Sequence, residues 1–449
     1  MQIVHRQQRG STPLRLFRLS AIAKKIILTL AVLVGLPSLF CMALKVNTLW
    51  LHYVVSAAYL LTCGCILFES LTATRSITPP PPPQTIPTVT FIVVAYLPNE
   101  QDLILQTLNH ILYRVRKPDA PWELILAYNS PTWLPVNDQL QELAAKHPNF
   151  HPLRIQNSQS KAENLNVAVR AARGEMICLF DADHWPGIDC VAQAWRWLAN
   201  GYEVVQGRCV VRNHSSNLIA RLIAVEFEAI YGLFHHARSV IANTAIFGGS
   251  NAYWRAEALR RMYFSRDRLT EDIDVSIRAV TRGLRFIHDR AIVSTEVAPV
   301  SLQALYKQRK RWAQGWLEVT LLHQGRLWRS RHLTLLQKLY WTYTLSYREV
   351  FTIISLQIYT AILTQMFLGI QLSPTSKLFF GITSAICIAT GIIHTLFIQR
   401  YQAQRYPIAN YVLYTGLHWL FVTWKSFVSL IAWYDHVVRQ RDWVVTPRK

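Results

Sequence analysis

The sequence predicts an α/β domain with a mostly parallel sheet in the cytoplasm, flanked by transmembrane helices at both ends. Uncharged runs of membrane-spanning length occur towards both termini of the 449-residue chain, of which 51% is apolar. Between these runs, apolar strand-like stretches alternate with helical patterns, which is typical of a sheet covered by helices on both faces. We therefore expect a multi-pass protein of the plasma or inner membrane.

Two apolar runs after a basic N-terminus (residues 1–25) predict a transmembrane hairpin over residues 26–68. Ile26–Leu44 and Leu49–Phe68 contain 19 and 20 residues without a formal charge, and a hairpin in a soluble core is the alternative. The N-terminus carries six basic residues and the hairpin loop only one, so the N-terminus should be cytoplasmic. A cleaved signal peptide fits less well, because the second run follows at once.

The C-terminal region, residues 348–434, contains three further apolar segments. Val350–Ile370 and Leu378–Ile398 are uninterrupted spans. The third segment, Ile408–Tyr434, is longer and includes the polar residues His418 and Lys425.

The charge of the tail conflicts with three C-terminal crossings. Three crossings would put the basic tail, residues 435–449, outside the cell, against the positive-inside rule. We therefore expect one aromatic segment, either Leu333–Tyr347 or part of 408–434, to lie in the membrane interface or to be half-inserted.

The net charge of +21 does not indicate a nucleic-acid partner. Much of it lies beside the apolar runs, where lysine and arginine contact the head groups of membrane lipids. The seven cysteines show no paired metal-ligand spacing, and Cys63 and Cys65 lie within a predicted span, so we interpret them as core residues.

A proline-rich linker, residues 69–87, separates the hairpin from a soluble domain over residues 88–300. The stretch "TPPPPPQTIP" excludes a helix or a central strand there. Strand-like runs in the domain are "TVTFIVVAY", "WELILAY", "EMICLF" and "YEVVQGRCVV", and helical patterns cover 101–115, 136–146, 162–173 and 188–200. Ligands of such sheets bind beyond the carboxyl ends of the strands.

The stretch "CLFDADHWPG" places Asp181, Asp183 and His184 directly after a predicted buried strand. Two carboxylates one residue apart can converge on a hard cation, and a histidine nitrogen suits Mn²⁺ and is tolerated by Mg²⁺. The alternative is a solvated turn whose aspartate caps the next helix.

The stretch "LTEDIDVSIRAVTRG" contains Glu271, Asp272 and Asp274 at the start of a predicted helix. Carboxylates are favoured there by the helix dipole, so capping is one interpretation. The other is a general base that takes a proton from an attacking hydroxyl group.

Residues 301–347 are predicted to form amphipathic helices at the membrane surface, and they contain "QRKRWAQGW". One helical face carries a stripe of five apolar residues: Leu302, Leu305, Trp312, Trp316 and Val319. The tryptophans are either interfacial anchors or stacking platforms for a sugar, and the basic residues contact either lipids or a diphosphate.

These motifs, in this order between membrane spans, resemble the family 2 glycosyltransferases of the cellulose synthase and hyaluronan synthase group. The resemblance covers roughly residues 88–320 through DxD, TED and QxxRW motifs, and it implies a GT-A-like fold. It implies that Asp181, Asp183 and His184 bind Mg²⁺ or Mn²⁺ and that Asp272 is the catalytic base. It also implies donor-binding and acceptor-binding residues, which are Lys161, Asn164, Asp181 and Arg311 for the donor and Gln308, Trp312, Gly249 and Ser250 for the acceptor.

Two stretches depart from the family pattern. "KAENLN" has Glu163 where the family has glycine, and "LILAYNSP" lacks the Asp-Asp-Gly that contacts the nucleotide base. The sequence therefore defines the type of reaction better than it defines the nucleotide that carries the sugar.

The function implied is an inverting transfer from a nucleotide sugar, expected to be a UDP-sugar, to a growing β-linked polysaccharide. A lipid glycosyltransferase acting on diacylglycerol or a polyprenyl acceptor is the alternative, and an inactive membrane scaffold or transporter is a more distant one. The sequence does not identify the sugar or any partner for export.

Overall fold

The computed structural model describes residues 21–440, so most of the basic N-terminus and the end of the basic tail lie outside the described residues. Its centre is a sheet of eight strands in the order β3-β2-β1-β4-β7-β6-β8-β5. The strands are β1 (Val89–Tyr96), β2 (Trp122–Asn129), β3 (Phe150–Arg154), β4 (Met176–Asp181), β5 (Trp185–Pro186), β6 (Val204–Val211), β7 (Ala252–Arg255) and β8 (Phe286–Glu296).

The helices of the described chain precede, cover and follow this sheet. They are α1 (Ala21–Leu30), α2 (Leu36–Ala43), α3 (Leu49–Thr72), α4 (Leu97–Glu100), α5 (Ile104–Arg114), α6 (Pro135–Lys146), α7 (Lys161–Ala171), α8 (Cys190–Leu198), α9 (Leu218–Phe227), α10 (His235–Ala242), α11 (Ala256–Met262), α12 (Glu271–Thr281), α13 (Leu302–Arg329), α14 (Leu335–Thr342), α15 (Arg348–Leu368), α16 (Pro374–Arg400) and α17 (Ile408–Val437). Three π-helical turns join α1 to α2, α9 to α10 and α14 to α15.

The sheet is mixed, although most of its strand pairs are parallel, as the sequence predicted. Strands β1, β2, β3 and β4 pair in parallel, as do β6 and β8. The short strands β7 and β5 pair antiparallel to their neighbours. The four predicted strands are all present, and β3, β5, β7 and β8 were not predicted.

Both faces of the sheet are buried, as the near-continuous apolar strands require. Phe91 and Val93 of β1 pack in one core with α5 and α8, whereas Ile92 and Val94 pack in the other with α7 and α12. Alternate side chains of a strand point to opposite faces, so β1 contributes to both cores.

Within residues 21–440, four helical stretches are long and apolar enough to cross a membrane: Ala21–Ala43, Leu49–Thr72, Leu335–Leu368 and Pro374–Arg400. The aromatic residues around 335–347 form one continuous helix with α15, whereas α17 is not among these four. The chain is thus a membrane protein with apolar helices on both sides of its α/β domain, and the number of spans stays a prediction.

Candidate active site

Lys161 connects the end of β4 to the start of α12. Its Nζ lies 2.5 Å from Asp181 Oδ1 and 3.8 Å from Glu271 Oε1, and it donates to the Gly249 carbonyl oxygen at 2.9 Å. Burial lowers the pKa of Lys161, but the two carboxylates outweigh it and raise the pKa above its ordinary value. Lys161 therefore carries its charge beside Asp181, at the carboxyl end of β4.

Asp272 has the electrostatic properties of a general base. Burial, followed by the charge of Glu271, raises the pKa of Asp272 to about 7, although Lys161 and Arg311 oppose the shift. Its Oδ1 accepts a hydrogen bond from the Ile273 amide at 2.8 Å. A carboxyl group that titrates near neutral pH can exchange protons at working pH.

The loop between α10 and β7 places Ser250 against the backbone of Asp181 and Gly249 against the Asp272 carboxylate. The Asp181 amide donates to Ser250 Oγ at 3.0 Å. Gly249 has φ +86°, and a Cβ added there would lie 2.9 Å from Asp272 Oδ2. Glycine is needed at 249 for its backbone conformation and for this close approach.

The three residues predicted to share a cation have different neighbours. Asp183 Oδ2 accepts from the Val297 amide at 3.0 Å, and His184 Nε2 lies 3.0 Å from Glu296 Oε2. Within residues 21–440, only one group of three potential metal ligands has its donor atoms within 4.8 Å of one another. This group is His184, Cys209 and Glu296. The structure does not bring Asp181, Asp183 and His184 together in this way, and their shared cation stays a prediction.

Asn164 reaches the end of β2, where the sequence departs from the family pattern. Its Nδ2 donates to Asn129 Oδ1 at 2.9 Å, and Asn129 Nδ2 donates to the Ser158 carbonyl oxygen at 3.0 Å. Asn164 Oδ1 is buried without a hydrogen-bond partner in the protein. The side-chain amide of Asn129 therefore lies at the end of β2, where this chain lacks the aspartates of the family's Asp-Asp-Gly stretch.

Helix α13 places Arg311 against the loop that precedes α12. Arg311 Nη1 donates to the Leu269 carbonyl oxygen at 3.4 Å, while Arg311 Nε and the buried Gln308 Oε1 have no hydrogen-bond partner in the protein. The two helices approach closely because Gly315 faces Thr270, where a Cβ would lie 2.5 Å from Cγ2. The QxxRW helix and the TED turn thus pack together.

Trp312 lies beside a buried ionic network that the sequence analysis missed. The Arg309 guanidinium is 4.4 Å from the centre of the Trp312 ring. Arg309 Nη2 donates to Glu226 Oε2 at 2.5 Å, and Lys425 Nζ donates to Glu226 Oε1 at 2.8 Å. The sequence signal for this network was Lys425, a charged residue within the mostly apolar segment Ile408–Tyr434.

The apolar stripe of α13 does not form one continuous surface. Leu305 and Trp312 belong to a cluster with α9 and α17, whereas Trp316 and Val319 belong to the core that contains α12. Leu302 is 58% exposed. The helix was correctly predicted, but tertiary contacts divide its apolar face between two cores.

Comparisons with known proteins agree with this architecture. The family model "Glycosyl transferase family group 2" matches residues 176–434, more than half of the chain. The poly-beta-1,6-N-acetyl-D-glucosamine synthase of Staphylococcus aureus (strain MSSA476) is 25% identical over 247 residues, which cover 52% of this chain and 55% of that protein. The same enzyme of Staphylococcus epidermidis is 24% identical over 241 residues, which cover 53% and 57%. The chain thus spans little more than half the length of these curated relatives.

One solved structure supports the fold. A mannosyltransferase from Pyrobaculum calidifontis, solved in complex with GDP-Man and Mn²⁺, superposes with a TM-score of 0.55 at 21% sequence identity. The match covers 88% of this chain and 100% of that chain. The predicted GT-A-like fold is confirmed.

Proposed function

Because the chain belongs to glycosyl transferase family group 2, we propose that it transfers a sugar from a nucleotide sugar to a growing β-linked polysaccharide. The names of the curated relatives support a polymer as the product. The basic residues before the first apolar helix favour a cytoplasmic catalytic domain.

One observation carries this proposal: Asp272, with a pKa of about 7, lies against Gly249 and beside the Lys161–Asp181 ion pair. The ion pair lies at the carboxyl end of β4, where α/β sheets bind ligands. Arg311 of α13 contacts the loop that precedes α12, where its Nη1 donates to the Leu269 carbonyl oxygen. A base and two cations therefore lie together at the edge of the sheet where a nucleotide sugar would bind.

We assign a divalent cation to the carboxylates of Asp181 and Asp183. Carboxylate oxygens are ligands that both Mg²⁺ and Mn²⁺ accept, and the Asp181 carboxylate already pairs with the Lys161 ammonium. The Mn²⁺ of the similar mannosyltransferase supports the same assignment. When bound, such a cation supplies charge neutralisation for a diphosphate.

In the proposed reaction, the Asp272 carboxylate takes the proton of an acceptor hydroxyl group. The hydroxyl oxygen bonds to the anomeric carbon while the bond from that carbon to the diphosphate oxygen breaks. The nucleoside diphosphate leaves with the bonding electrons, and Lys161 and Arg311 stabilise its charge. Attack from the opposite side inverts the carbon, so an α-linked donor gives a β-glycoside.

The position of Trp312 keeps a lipid glycosyltransferase as the second candidate. One face of the ring is covered by Arg309, and its neighbours come from α9 and α17. A ring held in this way can serve as an anchor rather than as the platform for a sugar. The two candidates share the donor site and the base, and they differ in the acceptor.

The test is nucleoside diphosphate release by purified full-length protein from a panel of sugar nucleotides, with chelator and with added Mg²⁺ or Mn²⁺. The products of a labelled donor are then separated by size. We expect that the release of nucleoside diphosphate depends on a divalent metal. We also expect the labelled products to be chains of many sugar units. Full turnover in chelator would contradict the metal assignment, and a single-sugar product extracted by organic solvent would favour the lipid acceptor.

Two variants of Trp312 sharpen the test of the acceptor. Trp312→Ala should nearly abolish product, and Trp312→Phe should shorten the polymer because the smaller ring holds the acceptor less well. Trp328→Phe on the same helix is the matched control and should leave product length unchanged. Equal product lengths in the wild type and in Trp312→Phe would assign the ring to anchoring.

A further inference from the structure

Three metal-ligating side chains meet beside the donor crevice. The donor atoms of His184, Cys209 and Glu296 lie within 4.8 Å of one another. His184 and Cys209 are almost fully buried, at 2% and 1% exposure. The roles proposed for the transfer reaction use neither Cys209 nor Glu296.

Strand register explains why these residues meet. Cys209 of β6 pairs with Ser294 of the parallel strand β8, so their side chains lie on the same face of the sheet. Glu296 follows Ser294 by two residues and shares that face. Antiparallel pairing of Trp185 with Thr295 brings the preceding residue, His184, next to Glu296.

The ring of His184 is oriented as metal-bound imidazoles usually are. Its Nε2 lies 3.0 Å from Glu296 Oε2, inside the cluster. Its Nδ1 lies 3.4 Å from the Ser294 hydroxyl group. A histidine ligand normally has its second nitrogen bonded to a polar group that fixes the tautomer and the ring.

We propose that His184, Cys209 and Glu296 bind a zinc ion. Zn²⁺ takes thiolate, imidazole and carboxylate ligands, commonly three from the protein and a fourth from solvent. Bonds of about 2.0–2.3 Å hold such donors less than about 4 Å apart, so small side-chain adjustments complete the set. Thiolate and imidazole favour Zn²⁺ over the Mg²⁺ or Mn²⁺ that carboxylates bind.

This zinc ion ties the DADH turn to the end of β8. The neighbouring residue Val297 already binds Asp183 Oδ2 through its amide. Arg212 Nη1 also donates to the Asp183 and Thr295 carbonyl oxygens, at 2.5 and 3.2 Å. A metal at His184, Cys209 and Glu296 fixes this turn. His184 then no longer belongs to the Mg²⁺ or Mn²⁺ site predicted from the sequence, which is left to Asp181 and Asp183.

The test is the zinc content of full-length protein, purified in detergent and dialysed against a weak chelator. We expect about one zinc per chain in the wild type, in keeping with one ligand set. Co²⁺ added to zinc-depleted protein should give a thiolate-to-metal absorption band. Cys209→Ala should remove the band and most of the zinc, while Ser294→Ala should weaken zinc binding by about 10–100-fold.

Two controls separate this site from the transfer reaction. Cys190→Ala, at another fully buried cysteine, should keep both the zinc and the band. Asp272→Asn should keep the zinc even though turnover is lost, so failure of the proposed reaction would leave this result intact. Wild-type protein without stoichiometric zinc, or unchanged zinc in Cys209→Ala, would overturn the proposal and leave His184 and Glu296 as a direct ion pair.

Discussion

Two aspartates two residues apart on α12 lie in opposite electrostatic environments. Asp272, which lies beside Gly249, has its pKa raised to about 7 by burial and by Glu271. Asp274, on the side packed against α13, has its pKa lowered to about 2 despite burial, because His323 and Arg278 bind its carboxylate. The His323 and Arg278 contacts measure 2.7 and 2.8 Å.

The difference agrees with the proposed role of Asp272 as a base and with a structural role for Asp274. Burial raises the pKa of both groups, and only close positive partners reverse its effect. Asp274 has two such partners, whereas the charge of Lys161 near Asp272 is shared with Asp181 and Glu271. Asp272 is therefore poised to take a proton, and Asp274 holds α12 to α13.

The largest effect on turnover is expected from Asp272→Asn. An amide cannot take the proton of the acceptor, and a positioned base contributes about 10²–10⁴-fold. Turnover should fall by at least about 100-fold, whereas donor binding should persist in a direct binding assay. An equal loss of donor affinity would assign Asp272 to donor or metal binding instead.

Gly249→Ala should have the next largest effect. The added Cβ would lie 2.9 Å from Asp272 Oδ2, so the carboxylate must move. Displacement of a catalytic group by about 1 Å costs up to about 10²-fold, and we expect about a tenfold loss of turnover. Gly201→Ala is the matched control because Gly201 has a similar φ, +84°, away from the site. Equal losses in both variants would attribute the effect to backbone strain alone.

Glu271→Gln should change the pH profile more than the maximal rate. At pH 6, only roughly a tenth of a carboxyl group with a pKa of about 7 is ionised, so activity should rise with pH through neutrality. Removing the Glu271 charge favours the ionised form, so the pKa of Asp272 falls and the acid limb of kcat/KM moves to lower pH. Lys161→Met should move this limb the opposite way, and shifts in the same direction would contradict the assignment.

Asp274→Asn should change turnover least and stability most. Removing one partner of a buried ion pair costs about 3–5 kcal/mol, because Arg278 and His323 lose their counter-charge. In the wild type, the lowered pKa means that this stabilisation is present above about pH 4 and is lost as the pH falls towards 2. Denaturant unfolding measures the loss, and turnover per folded molecule should stay within about twofold. A large fall in that turnover would place Asp274 in the reaction.

The sequence alone determined the features that depend on neighbours along the chain. Apolar runs without charge define the membrane helices, and the buried strands β1, β2, β4 and β6 follow from local hydrophobicity. The order of the DxD, TED and QxxRW motifs was enough to predict the fold and the family. Lys161, Asp181, Gly249 and Asp272 were each predicted at the site, and the structure brings them together.

Only the tertiary structure decided what depends on partners distant in sequence. Strands β5 and β7 are two and four residues long, so their antiparallel pairing with other strands, rather than a local pattern, defines them. That pairing directs His184 towards Glu296, 112 residues away. The pKa values of Asp272 and Asp274 differ for the same reason, since desolvation and charge depend on which side chains the folded chain places within a few ångströms.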